Sequence, residues 1–403
     1  MRDLGAEGLS CAEFYWEFGG FLLEWGWCRI EGMQDQAFEH LARRGAAGVP
    51  VLVDALLARS RTRGASDLHL EPTATALVAR LRVDGVLENL TVLPGELAPN
   101  VVARCKVLSG LLTYKNDVPQ EGGFRDAGGE GRVSTFPTVH GEKVVVRFFQ
   151  AGQVLSLGQL QFSEVVLAGL TKALSRRDGM VLVTGPAGSG KTTTLYACLD
   201  RLARAGRQVS TLEDPVEREL AGVTQSSIQP SAGFDFARGL RSLLRQDPEV
   251  LLIGEIRDRE TAEISLEASL TGHLLLATLH AGTASGAAGR LLDMGLEPYL
   301  LTGALQGILH QRLVRQRCCC GKGTGCEDCR QTGWLGRRPI AEWLEPGNAF
   351  RAAILGRADS GSLEEAAIRD KMVPLRAEAQ AAIDAGWTVT EEIRRVFGPE
   401  IIK

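Results

Sequence analysis

The stretch Gly185-Pro186-Ala187-Gly188-Ser189-Gly190-Lys191-Thr192 matches the phosphate-binding loop pattern at every position. Glycines in such a loop let successive backbone N–H groups converge on one anion without Cβ clashes. A helix starting beyond the loop adds the positive end of its dipole. Lys191 is the candidate cation for the β- and γ-phosphates, and the Thr192 hydroxyl is the candidate Mg2+ ligand. Thr193 stands with them as a nucleotide contact. The chemistry implied is binding of ATP with Mg2+. A chance glycine-rich turn is the competing reading. The apolar run 180–184 before the loop and the helical pattern 192–202 after it oppose that reading.

Binding alone does not make a catalyst, so the remaining acids and bases matter. The apolar run 250–254 ends in Glu255. A carboxylate at the C-terminal end of a parallel strand sits beside the phosphates, where it can orient or deprotonate water. No aspartate ends this run, so Glu255 would act alone, with Arg257 and Asp258 on the same rim. Glu213, Asp214 and Glu217 follow another strand-like run. They could hold Mg2+ through water or position a nucleophile, and taken alone they read as a solvated turn. His273 and His280 bracket the run 273–279. They could sense the γ-phosphate or link sites between subunits, and a lone histidine in either place would be structural.

Nine cysteines occur, five of them within 318–329. That distribution fits a metal site in a reducing compartment rather than a secreted disulfide framework. Cys326 and Cys329 form a C-x2-C knuckle, and Cys318, Cys319 and Cys320 stand upstream. Two thiolates from each half would complete a tetrahedral, structural Zn2+ site with no open position. Arg312, Arg315, Arg317, Arg337 and Arg338 form a basic rim that either meets a partner or keeps the loop soluble. Cys11, Cys28, Cys105 and Cys198 read as small buried apolar residues.

The elements that must position these groups follow from periodicity. Apolar spacing predicts helices over 49–63 and 98–109, and strands over 67–70, 76–83, 86–92, 131–136 and 143–149. Asp84-Gly85 marks a hairpin. Strands at 180–184, 208–212, 250–254 and 273–279 alternate with helices, which predicts a parallel sheet covered on both faces. Helices are expected over 362–372 and 374–385. With 403 residues, several domains are expected. They are a 1–48 extension, 49–150 as a small α+β domain, 151–310 as the nucleotide domain, 311–345 as a cysteine-rich subdomain and 346–403 as a helical end. The aromatic-rich stretch 11–28 lacks a basic flank and does not read as a signal peptide. It reads either as an amphipathic docking segment or as a loosely packed extension. No run of apolar residues is long enough to span a membrane. The net charge of −4 and pI near 6.0 give no general pull toward nucleic acid.

Together these residues resemble the secretion ATPase family of type II secretion and type IV pilus assembly, over about residues 49–398. The segment 185–196 is similar to its Walker A region, 211–217 to its acidic box, 244–261 to its Walker B region with Glu255 as catalytic glutamate, and 271–280 to its histidine box. The segments 63–72, 80–86 and 133–148 resemble its PAS-like N-terminal domain. The resemblance implies an α/β fold: a RecA-like P-loop domain preceded by that α+β domain, a small cysteine-rich zinc subdomain and a helical C-terminus. It implies ATP hydrolysis by a homohexamer at the cytoplasmic face of the inner membrane. Membrane association would come through a platform protein of the secretion or pilus machine, and no nucleic acid is involved. Arg132 and Arg147 match the arginines that reach the nucleotide. Gly123 stands where an arginine is usual. In the cysteine site Cys318 matches the first ligand, Gly321 occupies the second position, and Cys320 is the expected substitute, with Cys319 as the alternative. A retraction motor of the same family would normally lack that site.

Overall fold

The computed structural model describes residues 36–126, 128–149, 154–321 and 325–402. The stretch 11–28, with Cys11 and Cys28, lies outside the described residues, as does most of the expected extension. The chain divides into two compact units after Ala151.

In the first unit, helix α1 (Gln36–Ala42) and helix α2 (Val49–Thr62) precede three strands, β1 (Asp67–Pro72), β2 (Ala76–Val83) and β3 (Val86–Pro94). Helix α3 (Ala98–Leu108) leads to β4 (Gln120–Asp126), β5 (Gly129–Thr138) and β6 (Gly141–Phe148). The strands form one antiparallel sheet in the order β3-β2-β1-β6-β5-β4. Asp84 and Gly85 both have positive φ, as the two-residue hairpin between β2 and β3 requires. Alternation decides the two faces. Leu68, Leu70, Leu77, Leu81, Val144 and Val146 join a core with Leu52, Leu56, Val101 and Phe38. The neighbouring positions carry charge: Asp67 pairs in register with Arg82 on one side and Arg147 on the other. Phe38 on α1 is fully buried, so the chain joins this core before residue 49. Strand β4 was not expected, because Gly122 and Gly123 give it little strand propensity. Gly122 is needed there, since a Cβ would lie 2.5 Å from the Ser109 carbonyl oxygen.

The second unit contains helix α4 (Glu164–Leu174), β7 (Gly179–Thr184), α5 (Lys191–Arg204), β8 (Val209–Glu213), β9 (Val223–Ser227), α6 (Phe236–Leu243) and β10 (Val250–Ile253). Next come α7 (Arg259–Leu270), β11 (Leu274–Leu279), α8 (Ala284–Asp293), α9 (Pro298–Ala304) and the long strands β12 (Leu305–Arg317) and β13 (Trp334–Leu344). Four helices close the chain: α10 (Asn348–Leu355), α11 (Ser360–Arg369), α12 (Leu375–Asp384) and α13 (Thr390–Phe397). The sheet order is β13-β12-β7-β11-β10-β8-β9, parallel except for the β12–β13 pair. Strands β7, β8, β10 and β11 are buried at every residue. Helices α4 and α5 cover one face, and α6 to α11 pack on the other. The strands β9, β12 and β13 were not anticipated. Strands β12 and β13 extend this sheet as a hairpin, and its outer part, with Val314 and Ile340, packs in a smaller core with Leu375, Ala379, Ala382 and Ile393. Among the described residues, no helix is long and apolar enough to cross a membrane.

Candidate active site

Register aligns the C-terminal ends of β7, β11, β10 and β8 along one edge of the sheet. The loop 185–190 leaves β7 at that edge and feeds α5. Gly185, Gly188 and Gly190 all have positive φ. Gly185 is fixed by space as well: a Cβ would lie 2.4 Å from the Gln311 carbonyl oxygen. The Ser189 hydroxyl is buried with no hydrogen-bond partner. Pro186 and Ala187 are exposed on the outside of the turn, and Thr193 is exposed on the first turn of α5. Lys191 Nζ donates to the carbonyl oxygens of Gly185 and Pro186 at 2.8 and 2.9 Å, so the ammonium lies over the loop. Burial pushes its pKa down, and Glu255 pulls the other way. A glycine-shaped loop, an unpartnered buried hydroxyl and a lysine over the loop fit a phosphate chain.

The acids converge next to the loop. Thr192, Glu213, Asp214, Glu217, Glu255, Arg257 and Thr278 line a cleft of about 100 Å³. The Thr192 hydroxyl donates to Glu217 at 3.4 Å. Oxygen donors of this kind suit Mg2+. Glu255 Oε2 accepts from Arg257 Nε at 2.6 Å, and Oε1 lies 3.2 Å from His280 Nε2. Arg257 also reaches Asp214 at 3.2 Å, and its bond to Glu255 raises its pKa first of several causes. Glu213 is buried, and both its oxygens are occupied. Oε2 accepts from Tyr196 at 2.5 Å, and Oε1 from Thr211 at 2.6 Å and Gln225 at 3.1 Å. The Tyr196 hydroxyl in turn accepts from the Glu217 amide. Glu213 therefore lines the cleft with a carboxylate already occupied, and Tyr196 ties it to Glu217. Burial and Glu213 push the Tyr196 pKa up.

The structure brings His280 to Glu255 but leaves His273 at the far end of β11. There His273 Nδ1 contacts the Ala268 carbonyl at 3.0 Å. Six strand residues separate the two histidines, which stand seven residues apart, about 23 Å of extended chain. In the first unit, Arg132 and Arg147 are register neighbours, and Gly123 stands beside Arg132. Each arginine already holds an acid. Arg147 Nε is 3.0 Å from Asp67, and Arg132 Nε is 2.7 Å from Glu121.

Three functional neighbours escaped the sequence reading: Tyr196, the clamping role of Arg257, and Gln311. Gln311 is buried on β12 and bonds both the loop and α5. Its signal was a polar pair, His310-Gln311, directly after the apolar residues Ile308 and Leu309.

The cysteines form the tip of the β12–β13 hairpin. The thiols of Cys318, Cys320, Cys326 and Cys329 all lie within 4.8 Å of one another. Cys318 and Cys326 sulfurs are 3.7 Å apart, close to the ~3.8 Å edge of a tetrahedron with 2.3 Å Zn–S bonds. The Cys326 amide donates to Cys329 Sγ and holds that thiol down to about 7. Cys319 is exposed and outside the group. Cys105 and Cys198 are buried, which pushes each thiol up to about 12. Three arginines of the basic rim, Arg312, Arg315 and Arg338, turn to partners within the chain, whereas Arg317 is exposed. Arg312 bonds the Val396 carbonyl and stacks on Phe397, Arg315 chelates Glu392 and stacks on Trp334, and Arg338 stacks on Trp387. Aromatic and carboxylate partners on β13 and in the C-terminal segment make these arginines internal fasteners.

The model of the family described as Type II/IV secretion system protein matches residues 42–395. The Type II secretion system protein HxcR of Pseudomonas aeruginosa is 44% identical over 366 residues, covering 87% of this chain and 78% of that protein. The Type II secretion system ATPase E of Vibrio cholerae is 39% identical over 375 residues, covering 86% and 74%. Among solved structures, the pilus retraction motor PilT with bound ADP aligns with a TM-score of 0.63 at 26% identity, covering 84% of this chain and 95% of that one. The Legionella pneumophila ATPase DotB aligns at 0.67 and 22% identity, covering 86% and 95%, which speaks to the fold alone.

Proposed function

This chain belongs to the Type II/IV secretion system protein family and is a secretion or pilus motor ATPase, and from that premise we propose that it powers assembly of a pseudopilus in type II secretion. The observation that carries the reading is the meeting of loop and carboxylate: Thr192 and Glu255 line one cleft, and Lys191, the residue before Thr192, feels the charge of Glu255. The loop amides from Ala187 to Thr193 bind the phosphates, Pro186 having no N–H to offer, and Lys191 neutralises them. Glu255 orients a water and accepts its proton, while Arg257 and His280 hold the carboxylate in place. Glu213 positions Tyr196 and Glu217. Mg2+, when bound near Thr192 and its neighbouring acids, supplies charge neutralisation at the phosphates. Zn2+ on Cys318, Cys320, Cys326 and Cys329 braces the hairpin tip.

The motor acts as a homohexamer at the cytoplasmic face of the inner membrane, against a platform protein of the machine. Nucleic acid has no part in this reading. Arg132 and Arg147 exchange their acidic partners for the nucleotide, and His273 serves contacts between subunits. Relatives at 44% and 39% identity carry type II secretion names, while the retraction motor is at 26%. The four-thiol cluster also favours assembly over retraction. Phosphate release by wild type and Glu255→Gln tests the mechanism. The variant should bind ATP and lose turnover by about 10²–10⁴. A Glu255→Gln oligomer that turns over like wild type refutes the assignment.

A further inference from the structure

We propose that Gln311 is a positioning residue of the ATPase reaction, which aims the phosphate-binding loop from a neighbouring strand. Its carboxamide is buried and bonded at both ends. Nε2 donates to the Ser189 carbonyl oxygen at 2.7 Å, and Oε1 accepts from the Thr194 hydroxyl at 2.9 Å. A carbonyl can only accept, so the orientation of the amide is fixed by its partners. The same residue touches the loop at two further points. A Cβ at Gly185 would meet the Gln311 carbonyl oxygen at 2.4 Å, and a Cβ at Gly190 would meet Nε2 at 3.1 Å.

The consequence for chemistry comes from peptide geometry. The peptide between Ser189 and Gly190 is planar and trans, so its C=O and N–H point in opposite directions. Fixing the Ser189 carbonyl on Gln311 turns the Gly190 N–H the other way. That amide heads α5, where converging N–H groups form an anion nest. Gly188 and Gly190 gain no rigidity from side chains of their own, and a loop of this composition samples many conformations. Gln311 removes that freedom before nucleotide arrives. Preorganised donors of this type serve both binding and the charge that develops in the transition state.

The test compares Gln311→Glu, Gln311→Met and Thr194→Val for binding of a fluorescent ADP analogue and for kcat and KM of ATP hydrolysis. Glutamate keeps size and the Oε1 acceptor but cannot donate to Ser189. Methionine keeps size and no polar bond. Both should weaken ADP binding by about tenfold, the scale of one buried hydrogen bond, and lower kcat/KM at least as much. Thr194→Val removes only the far partner and should lose less than either. ADP bound as tightly by a folded Gln311→Glu as by wild type overturns the proposal. So does a larger loss in Thr194→Val than in Gln311→Met, since the amide would then serve α5 packing alone. Should Gln311→Glu fail to fold, the ranking of Gln311→Met against Thr194→Val decides.

Discussion

His310 offers a titration that can be worked from the structure. It is fully buried on β12, next in sequence to Gln311, and neither ring nitrogen has a hydrogen-bond partner. Its register neighbours are Thr184 on β7 and Glu342 on β13, and both Glu342 oxygens are taken by the amides of Ala284 and Leu375. Burial first, then the positive charges of Arg312 and Lys191, push the imidazole pKa down to about 4. The unfolded chain keeps a value of about 6.5. As pH falls below that value, the unfolded state takes up the proton first. Stability is therefore complete above about pH 6.5 and is lost as pH drops toward about 4. Going from about pH 7.5 to about pH 4.5, the loss is about 2–3 kcal/mol. For a unit of this size that is about 5–10 °C in Tm. His310→Leu removes the titrating group at similar volume, and it should be as stable as wild type or more so near neutrality. Thermal unfolding of both proteins across that pH range measures the difference of differences. The wild type should fall further than the variant by the amount given. Melting temperatures that decline in parallel would refute the reasoning, because His310 would then carry no proton difference between the two states.

Metal content of purified variants should separate the cysteines. Cys320→Ser loses bound zinc and Cys319→Ser keeps it, as measured by elemental analysis, and loss of zinc in Cys319→Ser would sink the assignment. Cys320→Ser is also expected to keep wild-type ADP affinity. Arg147→Ala should lower kcat for ATP while folding normally, since Arg82 remains beside Asp67; an unchanged kcat would remove Arg147 from the mechanism.

Legibility in the sequence followed how local the signal was. The loop 185–192, Glu255 and the strands β7, β8, β10 and β11 could be read because each is a continuous apolar run or a fixed spacing. The β2–β3 hairpin was legible through Asp84-Gly85. Strand β4 was not, because Gly122 exists to let Ser109 approach, which weakens the pattern that marks a strand. The hairpin β12–β13 was missed for a different reason. Its outer half holds Arg312, Arg315 and Arg338, which look like solvent-facing charge until their aromatic and carboxylate partners are seen. Glu213 illustrates the limit for site residues. Its spacing places it near the nucleotide, but only the fold shows that Tyr196, Thr211 and Gln225 occupy its oxygens.

The hairpin also determines how far a metal at its tip can influence the nucleotide. Gln311 and Cys318 lie on one run of chain, seven residues apart, about 23 Å if fully extended. A regular strand over that length would carry a shift at the tip straight to the loop. Pairing of β12 with β13 shifts register between Arg315 and Arg317, where β13 carries one residue more than β12, and such a bulge breaks the ladder between the two strands. The same point is tied down from outside. The Arg315 amide and guanidinium both bond Glu392, and the Arg317 amide bonds the Trp387 carbonyl. Burial alone would push the Glu392 carboxyl up, but Arg395 and Arg315 draw it down to about 2, so the brace stays ionised throughout the neutral range. The ties to Glu392 on α13 and to Trp387 predict that movement of the cysteine tip is borne there before it reaches Gln311. A metal bound there stabilises the end of the hairpin without setting the geometry of the loop. For that reason zinc loss in Cys320→Ser should leave ADP affinity intact, and a variant that lost both together would show that strain at the tip passes these ties and reaches the loop.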